Sequence, residues 1–347
     1  MKILLVGSNF NSAIERYYLR YLEQLGASVS LYPAPDIVFN YHSKNLLNKT
    51  LFKTGLNKGY KPVNRELLKK VAEFNPDFIW IFKGMEIYPE TLGFLKRDFR
   101  LANYNPDHPF VITSKGSGNN NVTRSVGLYD LHFCYHTGLK KQIEDVYNLP
   151  AVFLPFAYDT EDLANGEIDE GDEEILRVCF QGNGDIFRAE KIKKLTDAGI
   201  PVDIYGVFWD KTSVMKNPLV KVFGIAPRPL FWKLNRQYRI QLNLFREYNN
   251  GSHNMRTFEI PAAGGIQLAP YSREQELFFE AGKEIFFFRN DEEMIQQAKD
   301  IIGMSKSGAL EIREAARRRS VGSDYTFRNR AQTVFKTFEN FPGRVRQ

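Results

Sequence analysis

Cysteine is scarce: the 347 residues contain two, Cys134 and Cys179. Each lies in an apolar run, which excludes a disulfide-stapled fold and reads as two reduced core thiols of a cytosolic protein. No group of Cys and His residues has metal-ligand spacing, so no metal is expected. Long hydrophobic runs are missing as well, and nothing approaches the length needed to cross a bilayer. The opening apolar run at 1–7 is too short for a signal peptide, and Ser8, Asn9, Asn11 and Ser12 follow at once; it reads as a buried first strand. The dinucleotide glycine fingerprint is incomplete. Gly182-Asn183-Gly184 and Gly116-Ser117-Gly118 both lack a third glycine, which disfavours a dehydrogenase. There is no 20–50-residue repeat and no low-complexity tract. Strong charge of one sign is lacking too. A net charge of +6 favours anionic ligands without requiring nucleic acid.

What is present is ordinary for a soluble globular chain: 43% hydrophobic and 25% charged residues, with 14% aromatics. The length suits two domains. Strand patterns at 2–6, 29–32, 78–82, 101–104, 130–135 and 152–155 alternate with helical spacing at 12–25, 67–74, 89–97 and 140–147. An acidic stretch follows at 159–174, read as a solvated linker rather than a cation site. The alternation then restarts, with strands at 175–180, 202–205, 240–244, 266–269 and 284–288. Helices are expected at 188–198, 230–238, 257–263, 273–281, 291–302, 310–319 and 326–338. Near-continuous apolar strands separated by helices imply parallel sheets covered on both faces. The expected class is α/β with two doubly wound domains: residues 1–155 with the last helix, 326–347, and residues 156–325.

In such domains ligands collect at the C-terminal ends of the strands, and four loops there stand out. In Gln181-Gly182-Asn183-Gly184, followed by Arg188, the glycines and the arginine suit close approach to a phosphate, or an ordinary turn. The second runs from Asn250 through Ser252, His253, Asn254, Met255 and Arg256 to Glu259. It is a polar loop entering a helix whose free amides and positive dipole end attract an anion. Arg256 adds a charge-assisted donor for phosphate. Glu259, one turn on, sits among apolar residues and needs a partner. It reads as an acceptor for ribose hydroxyls, against the alternative of a surface ion pair with Arg256. His253 is a sugar contact or a loop histidine without function, and Asn250 and Asn254 hold sugar hydroxyls or cap the helix. The third loop is Asn103-Tyr104-Asn105-Pro106-Asp107-His108-Pro109, where Asp107 and His108 supply a catalytic base or steady positive charge at a reacting carbon, or only stabilise a turn. The fourth, Gly7-Ser8-Asn9, borders an acceptor or is simply a tight turn. Separately, the segment 44–70 is basic and amphipathic. It either touches an anionic membrane or an anionic acceptor, or forms a solvated face.

The run from Asn254 to Leu268, N-M-R-T-F-E-I-P-A-A-G-G-I-Q-L, resembles the donor-site signature of the CgeB-like (spore maturation protein) glycosyltransferases. Leu154-Pro155-Phe156-Ala157-Tyr158-Asp159, the opening at Phe180-Gln181-Gly182-Asn183 and the start of the closing helix at Tyr325-Thr326-Phe327 resemble that family as well. The resemblance covers most of the second domain. It implies the GT-B architecture, two facing Rossmann-like domains with a C-terminal helix crossing back to the first. It also implies sugar transfer from a nucleoside diphosphate sugar, as co-substrate, to an unknown acceptor: glycan, protein or small molecule. By the resemblance Glu259 would bind the ribose and Arg188, with Lys191 after it, the diphosphate. No cofactor or metal is implied, consistent with the absence of an Asp-x-Asp motif. A second glutamate, common in retaining relatives eight positions before the ribose one, is replaced by Gly251, which leaves retention or inversion open. Rival readings are a nucleotide-sugar epimerase and a non-catalytic nucleotide-sugar binding protein on the same fold. The expected location is the cytoplasm, with contact at the inner membrane face through 44–70.

Overall fold

The computed structural model describes residues 1–11, 13–44, 59–112, 116–164, 173–245 and 251–342. Contacts divide the chain into two units, Met1–Pro155 with Phe327–Gln347, and Phe156–Thr326.

The first unit is built on six parallel strands: β1 (Lys2–Val6), β2 (Ser28–Tyr32), β3 (Phe78–Phe82), β4 (Arg100–Asn105), β5 (Leu131–Cys134) and β6 (Ala151–Phe153). They lie in the order β2-β1-β3-β4-β5-β6. Ile3 to Val6 pair with Phe78 to Ile81, and all five residues of β3 are buried, as a central strand covered on both faces requires. Connecting helices include α1 (Ile14–Gln24), α2 (Ala34–Ser43), α3 (Tyr60–Phe74), α4 (Pro89–Leu95), α5 (Asn120–Ser125) and α6 (Thr137–Tyr147). A last helix, Phe327–Asn340, closes this unit: Phe327 stacks on Tyr17 at 4.6 Å and Phe338 on Phe78 at 4.1 Å. The buried residues of α3, Val63, Leu67 and Val71, join the apolar core under the sheet. The amphipathic character expected of 44–70 is therefore, in its described part, that of a helix whose apolar face is already covered by core. The remainder, 45–58, lies outside the described residues.

The second unit has strands β7 (Ile175–Gln181), β8 (Val202–Tyr205), β9 (Val220–Phe223), β10 (Tyr238–Leu242), β11 (Gln267–Pro270) and β12 (Phe286–Phe288). Their order is β12-β11-β10-β7-β8-β9. Counted from its own first strand this is the doubly wound order of dinucleotide-binding folds. The helices are α7 (Thr160–Ala164), α8 (Ile186–Asp197), α9 (Arg228–Gln237), α10 (Met255–Ala262), α11 (Arg273–Glu276), α12 (Asp291–Gly303) and α13 (Lys306–Val321); Phe327–Asn340 is then α14.

Three expectations need correction. The strand expected at 240–244 begins earlier, because Tyr238 takes extended backbone as the cap of α9, and ends at Leu242, although the Asn243 amide still donates to the Leu268 carbonyl. The helix expected at 273–281 stops at Glu276. The acidic stretch is not a solvated linker where it is described. Asp159 is buried, Asp162 pairs with Arg228, and Glu174 accepts from both Arg239 and Arg313. Burial works against the Glu174 charge, but the two guanidiniums hold its carboxyl below the ordinary range.

Candidate functional site

In a doubly wound sheet the natural crevice opens where strand order reverses, between strands whose connections leave in opposite directions. In the second unit that point lies between β7 and β10, so the loops after those two strands border it. They are two of the loops singled out by sequence.

The loop after β7 is tied down by its own backbone. The Gly182 amide donates to the Tyr205 carbonyl at 2.9 Å, and its carbonyl accepts from the Trp209 indole at 3.0 Å. A Cβ on Gly206 would lie 2.1 Å from the Gly182 oxygen. The glycines here let two chain segments touch, and Gly182 has no amide to offer a phosphate. Arg188 is also turned inward. It donates to the carbonyls of Asn183 (2.9 Å) and Leu244 (3.3 Å) and lies over the Phe180 ring, bridging the loops after β7 and β10. Asn183 accepts from the Val207 amide through its side chain. Lys191 pairs with Asp291. None of these four is arranged as a diphosphate ligand.

The entry to α10 is a built cap. The Asn254 side chain accepts from the Thr257 amide while the Thr257 hydroxyl accepts from the Asn254 amide, which fixes the first turn. Asn254 also bonds Asn243, so capping, not a sugar hydroxyl, accounts for its side chain. Ser252 and His253 are core residues. Both meet the carboxylate of Glu274, at 2.9 and 3.0 Å. The His253 Nε2 accepts from the Phe156 amide, which places the ring proton on Nδ1, facing Glu274. Phe156, Phe258 and Phe278 stand edge-on around the imidazole. A sugar contact by Ser252 or His253 is thereby overturned. Asn250 lies outside the described residues. Met255, the first residue of α10, is half-buried. Its amide and that of Arg256 have no acceptor within the helix, as at any N-terminus.

Glu259 is fully buried, and each of its oxygens faces a guanidinium. Arg228, at the start of α9, donates to Oε1 at 3.0 Å, and Arg256 donates to Oε2. The arginines are held flat on aromatic rings: Arg256 lies over Phe231 at 4.2 Å, and Arg228 over Trp232 at 4.7 Å. Their side chains are 31% and 33% exposed. The acid stands behind and the arginines in front, so in this arrangement Glu259 positions the guanidiniums and does not reach a ribose. Among the described residues the Arg256 guanidinium hydrogen-bonds only Glu259, and its side chain is partly exposed at the first turn of the helix. Arg228, which also holds Asp162, was not found from sequence. It lies 31 positions from Glu259, and only the fold joins them.

In the first unit the reversal lies between β1 and β3, and a cavity of about 700 Å³ opens there. Its lining includes Ser8, Phe10, Glu15, Phe39, Tyr60, Lys83, Glu86 and Pro106. Gly7 is a glycine because a Cβ would strike the Glu15 side chain at 2.6 Å. The Ser8 amide donates to Glu15, while the Ser8 hydroxyl and the Asn9 amide donate to Asp36, all at 2.8–2.9 Å. Asp107 pairs with Lys83 at 2.5 Å, and its amide donates to Asn105, the turn geometry expected of such a residue. Lys83 has a left-handed backbone, φ 57°, a costly conformation of the kind found at sites. Burial, and after it the charge of His136, lower the His108 pKa. The Nδ1 of His108 accepts from the Phe110 amide, so the neutral ring carries its proton on Nε2, as a donor rather than a base. Burial lifts Glu15 to about 7 and Glu86 to about 7. Sequence reading missed both; Gly7, whose missing Cβ makes room for the Glu15 side chain, was the available signal.

Among the described residues no cluster of His, Cys, Asp and Glu could hold a metal, and no helix is long and apolar enough to cross a membrane.

Residues 188–336 match the model of a family described as glycosyl transferase-like. No curated protein matches the chain in sequence. Solved structures are similar over nearly the whole length. HepE from Anabaena, in complex with UDP and glucose, is 14% identical with a TM-score of 0.66, over 98% of this chain and 100% of that one. Sucrose-phosphate synthase from Thermosynechococcus elongatus is 11% identical with a TM-score of 0.66, over 98% of each chain. A putative UDP-N-acetylglucosamine 2-epimerase from Listeria monocytogenes is 13% identical with a TM-score of 0.62, over 97% of this chain and 95% of that one. At these identities the likeness is one of fold: two Rossmann-like α/β units of GT-B type.

Proposed function

We propose that the protein is a GT-B glycosyltransferase that moves a sugar from a nucleoside diphosphate sugar to an acceptor. The observation that carries this reading is the part-exposed Arg256, locked together with Arg228 on buried Glu259 at the helix end bordering the strand reversal, inside the matched stretch 188–336. Departure of the donor breaks the bond between the anomeric carbon and a phosphate oxygen, and the diphosphate leaves with the electron pair. The guanidinium of Arg256, the free amides of the first turn of α10 and the helix dipole oppose that charge. This is work a metal ion would otherwise do, and the reaction is proposed to run without one. The acceptor loses a proton as it bonds the anomeric carbon. We assign its side to the first unit, around Ser8, Lys83 and Asp107. UDP is the diphosphate of choice because similar HepE was solved with it. Kinship with the CgeB-like enzymes, a hexose donor and a cytoplasmic location complete the proposal.

Calorimetric titration with UDP tests it. Wild-type protein should bind, and Arg256→Ala should lose about 1.5–3 kcal/mol, the scale of a hydrogen bond to a charged group. An unchanged dissociation constant would remove Arg256 from the site. Release of UDP from a UDP-sugar only when an acceptor is supplied separates a transferase from an epimerase.

A further inference from the structure

The cavity between the ends of β1 and β3 has a composition that the transferase reading does not explain. Its wall is aromatic and aliphatic: Phe10, Val38, Phe39, Tyr60, Phe82 and Met85. Phe10 and Phe39 meet edge to face at 5.6 Å at its rim and stay largely exposed, 47% and 58%. Large apolar rings left in water beside a cavity mark a place where something apolar sits. Two carboxylates line the cavity, Glu15 of α1 and Glu86 of the loop after β3, and a third, Asp36 of α2, stands behind Ser8 and Asn9. Against them stands Lys83, and its ammonium already pairs with Asp107. His42 of α2 and Tyr60 of α3 complete the titratable groups facing the space. Acids therefore outnumber bases in an apolar setting. Burial, with the charges of Glu15 and Asp36 added, lifts the Glu86 pKa. A ligand that returns a positive charge would relieve this imbalance, and aromatic faces also attract a cation.

We propose that this cavity binds a small organic cation with a flat apolar body, its ammonium group against Glu15 and Glu86 and its body between Phe10, Phe39 and Tyr60. That this molecule is the sugar acceptor rests on the transferase reading above; that the cavity binds it does not.

The matched probes are 2-phenylethylamine and 2-phenylethanol, which share shape and differ in charge. Ligand-observed NMR on the full chain gives both dissociation constants. At about pH 8, where acids of pKa near 7 are ionised, the amine should bind at least about tenfold more tightly than the alcohol. At about pH 5.5 that preference should collapse as Glu15 and Glu86 take up protons. Glu86→Gln should remove most of the preference at the higher pH and leave the alcohol unchanged, so retained alcohol binding reports an intact fold. Equal binding of the two probes, tighter binding of the alcohol, or no binding of either overturns the proposal. UDP titrated into the same samples keeps the two readings apart. UDP bound without amine preference defeats only the cavity proposal, and amine preference without UDP binding defeats only the transferase.

Discussion

At the scale of single residues, the sequence marks Glu259 but hides its role. A carboxylate flanked by Phe258, Ile260 and Pro261 has to find cations, and it finds Arg256 three residues away and Arg228 thirty-one residues away. The first partner follows from helical spacing, whereas the second depends on α9 running back to the same end of the sheet. Removing the acid leaves two guanidiniums facing one another. Glu259→Ala should therefore destabilise the protein by about 3–5 kcal/mol, the cost of breaking a buried pair, and weaken UDP binding besides; chemical unfolding and titration of the same sample measure both. A stability unchanged from wild type would show that the acid is not the anchor of the arginines. Gly251 has φ 83°, a left-handed backbone in which a glutamate would be strained.

The elements themselves were legible where apolar periodicity is strong. β3 is a continuous apolar run, β1 is one after Lys2, and β7 and β8 are apolar but for Arg177, Gln181 and Asp203; α12 and α14 keep their helical spacing. The pattern missed α2, whose apolar residues do not keep to one face, β9, whose residues are alternately half-buried and exposed, and the short helices α5 and α7. Site residues were legible in kind more than in duty. The loop before α10 was found, yet Ser252, His253 and Asn254 serve Glu274 and the helix cap, because a buried loop must satisfy its own polar atoms first. The cap sets the orientation of Arg256. Asn254→Ala should cost about 1 kcal/mol of stability, readable as a lower urea midpoint. It should also weaken UDP binding without touching the ligand, and an affinity equal to wild type would separate the cap from the site.

For the whole molecule, acidity becomes a handle on stability. Glu15 is buried with its pKa raised from 4.5 to about 7. Between those values the folded chain holds a proton that the unfolded chain releases, so stability falls as pH rises through that window. The favourable contribution is fully present below about pH 4.5 and gone above about pH 7, on the order of 2–3 kcal/mol for a group so buried. Thermal unfolding followed from about pH 5 to about pH 8 should show the decline, and Glu15→Gln should make it shallower, leaving the like contribution of Glu86. A curve of Glu15→Gln parallel to wild type would assign the decline to other groups.

The helix that closes the first unit, α14, is made only after the whole of the second unit. Until it emerges from the ribosome, the sheet face at Phe78 and Trp80 and the Tyr17 side of α1 have nothing to cover them, although every strand of that sheet has long been synthesised. The second unit, continuous in sequence, can finish in the meantime. A nascent chain of this design therefore spends the synthesis of its second unit with a sticky aromatic surface open to chaperones, and the first unit matures only once α14 has been added.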